Sequence, residues 1–157
     1  KLKGETAFLY LHLSNQPALN QKIVLDNDEF LISEMNFLLQ EKVELVRDRI
    51  KRSMSDGNIN EAKEKIEEII SFISQVWEKG ITEDTFNWDH NYGYTPSGNF
   101  VQIDVGTFWE GDKYLKEEVQ AKKLLDNVSS KWLQSNYPEL VGFYKEKVER
   151  LYDRFTF

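Results

Sequence analysis

The chain has 157 residues, 40% hydrophobic and 30% charged, with a formal net charge of −7 and no cysteine. This balance describes one globular domain, residues 1–157, long enough to bury a core, and excludes a disordered chain. It also excludes disulfides, thiolate metal sites and the dense basic face that duplex nucleic acid requires.

In chain order, Ala7-Phe8-Leu9-Tyr10-Leu11-His12-Leu13 and Gln21-Lys22-Ile23-Val24-Leu25 read as two strands, and the polar segment with Pro17 between them predicts a hairpin. Asp26 with Glu29 three residues on reads as a helix start. Met35, Leu39, Val43, Val46, Ile50 and Met54 then recur at helical spacing, and Gly57 ends the element. The basic run Arg47, Arg49, Lys51, Arg52, interleaved with Asp48, is expected at the closing end of this helix, where cations complement its dipole. A second helix starts near Asn58 or Asn60 and runs to Gly80 with the stripe Ile59, Ala62, Ile66, Ile69, Ile70, Ile73, Val76, Trp77. The two are expected to form an antiparallel pair.

From Ile81 to Asp112 the period changes. Thr95-Pro96-Ser97-Gly98 predicts a turn between strands Tyr92–Tyr94 and Phe100–Ile103. Helices resume after Asp112. One carries Ala121, Leu125, Val128 and Trp132; the other opens at Pro138 and carries Val141, Tyr144, Val148, Leu151, Tyr152 and Phe155. The expected fold is mainly α with small β-hairpins, an α+β domain. No run of apolar residues is long enough for a membrane span, and no signal peptide is present, so a cytoplasmic protein without a membrane or nucleic-acid partner is expected. The chain begins at Lys1 rather than methionine, which reads as a trimmed chain or a piece of a longer protein.

Chemistry concentrates in the middle segment. Asn91 opens the hairpin and Asp104 ends its second strand, so the carboxamide and carboxylate are expected to converge on one point. Such oxygen donors suit a hard cation like Mg²⁺, which takes few protein ligands and completes its shell with water and phosphate. Asp84, just after the second helix, stands as a nearby general base. Each residue also has a structural reading: Asp104 as a turn cap, Asn91 as a hairpin start, Asp84 as a surface loop acid. Trp88 and Trp109 read as packing before they read as a ligand frame. His90 beside Asp89 has too few companions for zinc, with two histidines in the chain.

The run from the second helix through Lys79-Gly80-Ile81-Thr82-Glu83-Asp84, then Asn91, then Ile103-Asp104-Val105-Gly106 resembles the protein-kinase-like superfamily. There a long helix ends in a loop bearing a catalytic Asp, followed by a metal-binding Asn, a hairpin and a second metal-binding Asp before Gly. The likeness covers roughly residues 59–106, and the segment is also similar to uncharacterised proteins of intracellular bacteria. It implies a C-terminal-lobe module with Asp84 as catalytic base, Asn91 and Asp104 as metal ligands, and Mg²⁺ and ATP as cofactors. Three departures stand out. Thr82 occupies the place of the family's usual histidine, Asp84 precedes Asn91 by a longer interval than is common, and the chain holds neither a Gly-rich phosphate loop nor the strand lysine and helix glutamate of the N-terminal lobe. Two expectations follow: an ATP- and Mg²⁺-dependent phosphotransferase whose other lobe lies upstream of Lys1, or a degenerate relative. The degenerate relative would be non-catalytic and use the same scaffold to bind a partner protein, and a helical adaptor or scaffold domain is the alternative from outside the family.

Overall fold

The longest helix forms where the sequence combines a cap, a continuous apolar stripe and a stop. In α2, Ile59–Glu78, the Asn58 side-chain Oδ1 accepts the Glu61 N–H at 3.2 Å while Asn58 Nδ2 donates to Glu61 Oε2 at 3.2 Å. One of the first-turn donors, the Glu61 N–H, is thereby satisfied. Gly80, at φ +73°, closes the end in the left-handed region. Ala62, Ile66, Ile69, Ile73 and Val76 recur three and four apart and are all buried, as the stripe predicts.

The computed structural model describes residues 4–12, 21–83, 85–104, 108–110 and 119–155. Against α2 pack α1 (Val46–Ser55) and the last helix, α6 (Pro138–Phe155); α4 (Val119–Asp126) and α5 (Val128–Asn136) pack against α6, and a single turn α3 (Trp88–Asn91) lies in the loop after α2. The described strands are β1 (Phe8–His12), β2 (Lys22–Leu25), β3 (Asp28–Leu31), β4 (Phe37–Gln40), β5 (Glu44–Leu45), β6 (Ile81–Glu83), β7 (Tyr92–Tyr94), β8 (Phe100–Gln102) and β9 (Phe108–Glu110). They form small antiparallel sheets, ordered β1-β4, β2-β3, β5-β7-β8 and β6-β9. The fold is α+β. Its core joins α1, α2 and α6 to the hairpin through Ile50, Ile69, Trp77, Trp88, Tyr92, Leu140 and Tyr144. Among the described residues no helix is long and apolar enough to cross a membrane.

Several expectations fail in the first third of the chain. β1 and β2 do not form a hairpin; β1 pairs with β4 and β2 with β3. Asp26 and Asn27 do not start a helix. Their φ values of 51° and 75° make them the two central residues of a tight β2–β3 turn, a conformation that Asp and Asn tolerate. The helix expected from there to Gly57 shrinks to α1, because Phe37 to Gln40 pair with β1 instead. With α1 beginning at Val46, Arg47 and Arg49 lie in its first half rather than at its closing end. Their charge is met there by acids: Glu44 accepts from Arg49 at 2.9 Å and from Arg52, and Asp48 lies 3.7 Å from Lys51. The helix expected across Ala121 to Trp132 is broken at Asn127, which instead caps α5 by accepting the Ser130 N–H at 2.7 Å.

Candidate functional site

The loop following α2 is bound to the rest of the fold at both ends. β6 precedes it and pairs with β9, Thr82 opposite Trp109 and Glu83 opposite Phe108. At the far end, α3 delivers the chain into β7, which pairs with β8 so that Tyr92 faces Gln102 and Tyr94 faces Phe100. Gly93 in β7 lies against β5: a Cβ there would stand 2.5 Å from the Glu44 carbonyl oxygen. Only glycine permits that approach.

Within the loop, Phe86 adopts φ +44°, a sterically costly conformation for a bulky residue. Its carbonyl explains why it is held there. That oxygen accepts from the Trp88 N–H at 2.8 Å and from Asn127 Nδ2 at 2.7 Å, and Ser129 Oγ lies 3.4 Å from it. Asn87 between them, at φ −77° and ψ 63°, makes an inverse γ-turn. Ser129 donates to the buried Asp89 carboxylate at 2.5 Å and accepts the Asp89 N–H at 3.2 Å. The start of α5 thus fixes the loop. On its solvent side Arg47 Nη1 lies 2.8 Å from His90 Nδ1, and His90 Nε2 lies 3.1 Å from Asp89 Oδ2.

The hairpin register settles where two of the three anticipated site residues stand. The Ile103 N–H donates to the Asn91 carbonyl at 2.8 Å, which continues the ladder one rung past Tyr92–Gln102. Asn91 and Asp104, far apart in sequence, therefore sit on adjacent rungs at the same end of the hairpin. The Asn91 side chain is half-buried and that of Asp104 is exposed. Asp84 lies outside the described residues, as does the Trp109 side chain. Trp88 is fully buried in the core rather than framing a ligand, and its indole N–H donates to the Tyr144 hydroxyl at 3.2 Å.

Beneath this end of the hairpin is a polar group that sequence reasoning missed. Glu83 is 2% exposed; Gln102 Nε2 and, at 3.4 Å, the Tyr92 hydroxyl both donate to its Oε2. Burial pushes the Glu83 carboxyl up to about 7; Gln102, Tyr92 and the Phe86 backbone oppose the rise and the Asp104 charge adds to it. The same burial, with the Glu83 charge and hydrogen bond, raises the Tyr92 phenol well above its ordinary value. Ile81, Thr82 and Glu83 are all buried, so β6 shows none of the alternation that would mark a half-exposed strand.

Two hollows flank the region. One of about 350 Å³ borders the loop and is lined by Thr85, Asn87, Lys123, Asp126, Asn127 and Lys131. A larger groove of about 660 Å³ lies at the turn end of the hairpin, between α2 and Tyr94 and Phe100, away from Asn91 and Asp104. At this end of the hairpin Asn91 contributes a half-buried amide oxygen and Asp104 an exposed carboxylate, the donor type that hard cations take. Among the described residues no group of three or more His, Asp or Glu stands together as a metal site. Compared with known protein families, curated proteins and solved structures, the chain matches none.

Proposed function

We propose that this chain is a kinase-like phosphotransferase module that binds a magnesium nucleotide. Asn91 and Asp104 are the metal ligands and Asp84 is the acceptor-side base. The observation that supports this reading is the hairpin register, which brings the backbones of Asn91 and Asp104 to the same end of the hairpin, on adjacent rungs whose side chains leave alternate faces. The β6–β9 ladder supports it, because it binds the residue before Asp84 to the chain that follows Asp104. A magnesium ion bound there supplies charge neutralisation for the phosphates. Asp84 accepts the proton of the acceptor hydroxyl, and the hollow beside Asn87 and Asn127 gives an acceptor room next to the loop. Asp89, tied to Ser129, holds the loop's shape and does not itself react.

Thermal unfolding with and without Mg²⁺-ATP tests the reading. A ligand that binds only the folded state stabilises it by mass action, about 1.4 kcal/mol at ten times Kd, or a few degrees for a domain of this size. Asp104→Asn is expected to abolish that shift without lowering the stability of the free protein. No shift in the wild type at millimolar metal nucleotide would count against the proposal.

One observation favours a second reading, a non-catalytic module that binds a partner protein. The two-stranded ribbon β1–β4 exposes apolar residues on both faces. Leu11, paired with Leu38, projects from one and Leu39, paired with Tyr10, from the other, each about half exposed. Absence of the nucleotide shift, with loss of a partner complex on Leu11→Asp, would favour this reading.

A further inference from the structure

Glu83 ends β6 immediately before Asp84, and Gln102 ends β8 two residues before Asp104. β6 and β8 belong to different sheets, so the link between these two residues is made by side chains. Gln102 donates one amide hydrogen to Glu83 Oε2, and its Nε2 also lies 3.5 Å from the Asp104 carbonyl. Two acceptors remain. Glu83 Oε1 and Gln102 Oε1 are buried with no hydrogen-bond partner among the described residues. The Phe86 N–H faces the carboxyl as well, yet leaves Oε1 without a bond of ordinary geometry. A buried acceptor without a donor is costly, and two of them on one bonded pair share a single remedy. An ionised glutamate has no hydrogen to give, whereas the protonated acid has one. Placed on Oε1, it closes the carboxyl and the amide into a ring of two opposed hydrogen bonds.

We propose that Glu83 is held as a neutral acid whose proton is shared with Gln102 Oε1, and that this acid–amide pair is the positioning contact fixing the Asp84 loop against the strand leading to Asp104. The positioning half rests on the phosphotransferase reading; the protonation half does not. Of the charged and titratable groups facing the pair, Asp104 beyond β8 adds a repelling charge that favours the neutral acid, while the Tyr92 hydroxyl donates from β7 and works against burial. Glu5, whose carbonyl accepts the Gln102 N–H at 2.8 Å, has its carboxylate engaged by Lys79. Ionising Glu83 would break one of the two ring bonds and set a buried charge under the hairpin, loosening β6 from β8.

The experiment has two arms. In the first, carbon NMR of the Glu83 side-chain carboxyl in the unliganded protein is followed against pH, with Glu83→Gln identifying the signal. The expected midpoint is about 7; a midpoint in the ordinary glutamate range overturns the acid–amide pair. In the second, Mg²⁺-ATP affinity is measured across the same pH range. Wild-type affinity is expected to weaken several-fold relative to Glu83→Gln as pH rises through the midpoint, a single linked proton allowing at most about tenfold per pH unit. The comparison cancels titration of the nucleotide, because Glu83→Gln replaces the acid proton by an amide hydrogen that stays at every pH. Parallel profiles in the two proteins overturn the positioning role. Absence of nucleotide binding at every pH sinks the phosphotransferase reading and the positioning role with it, while the carboxyl midpoint still decides the pair.

Discussion

The indole of Trp88 donates to the hydroxyl of Tyr144 at 3.2 Å, and that hydroxyl donates onward to the Leu124 carbonyl at 2.8 Å. One phenol thus ties the loop that carries the candidate site to α4 and α6. All three residues are buried. Tyr144→Phe keeps the packing and removes both bonds, leaving an indole N–H and a carbonyl unpaired. The expected loss is about 1–3 kcal/mol, read as a lower denaturation midpoint with an unchanged slope. A loss below about 0.5 kcal/mol would mean that water reaches these groups.

Ile69 lies fully buried at the middle of the α2 stripe. Ile69→Ala is expected to cost about 2–5 kcal/mol, since the lost side chain leaves a cavity that its neighbours fill only in part. A urea melt checks this, and a cost under about 1 kcal/mol would show that α2 does not carry the core.

Gly93→Ala tests the approach of β7 to β5. The added Cβ meets the Glu44 carbonyl oxygen at 2.5 Å and Val43 Cγ2 at 2.8 Å, and backbone cannot yield as a side-chain tip does. A loss of about 1–3 kcal/mol is expected. In the amide spectrum, shifts concentrated at Glu44, Leu45 and Tyr94 would locate the cause.

Glu83 gives the protein a pH dependence of definite sign. Its carboxyl titrates at about 7 when folded, against an ordinary 4.5, so the folded state holds the proton more tightly than the unfolded chain. Below about 4.5 both states are protonated and the contribution is complete. As pH rises from there to about 7 the unfolded chain has released its proton and the folded one has not, so stability falls, by on the order of 3 kcal/mol in all. Above that the curve flattens. Glu44 works in the opposite sense. Burial raises its carboxyl, but hydrogen bonds and charge from Arg49 and Arg52 outweigh burial and hold it below its ordinary value. Its contribution is present above about 4.5 and fades as pH falls further. Unfolding free energies of wild type and Glu83→Gln compared across pH isolate the first effect. The variant is expected to gain on the wild type from about pH 4.5 to 7, and parallel curves would refute the assignment.

Where the sequence was readable, several local signals agreed. α2 has its cap in Asn58, its stop in Gly80 and an uninterrupted stripe, and the β7–β8 hairpin has its turn residues, Thr95 to Gly98, between two short apolar and aromatic runs. The first third misled for a definable reason. Met35, Leu39 and Val43 are spaced by four, which suits a helix but is also an even number and so suits a strand face. Asp26 likewise reads as a helix cap until its φ of 51° shows it to be a turn. Asn91 and Asp104 were visible as residues with hard oxygen donors. Glu83 was not, because an acid in Ile-Thr-Glu-Asp looks like any loop acid, and its burial comes from β9 and Gln102, both distant in sequence. Broken helicity at Asn127 was hidden by apolar spacing that continues on either side.

The β6–β9 ladder also bears on the order in which the chain can fold. Pairing Glu83 with Phe108 from an extended chain means closing a long loop before any bond rewards it, and that entropy cost grows with the logarithm of loop length. The β7–β8 hairpin lies wholly inside that loop and closes a much shorter one, joined by Thr95 to Asn99. Once it has zipped, the ends of β6 and β9 are separated by far less free chain. Loop-closure entropy therefore favours the local hairpin before the ladder, so the seam joining β6 to β9 is expected to gain its contacts after the hairpin has formed.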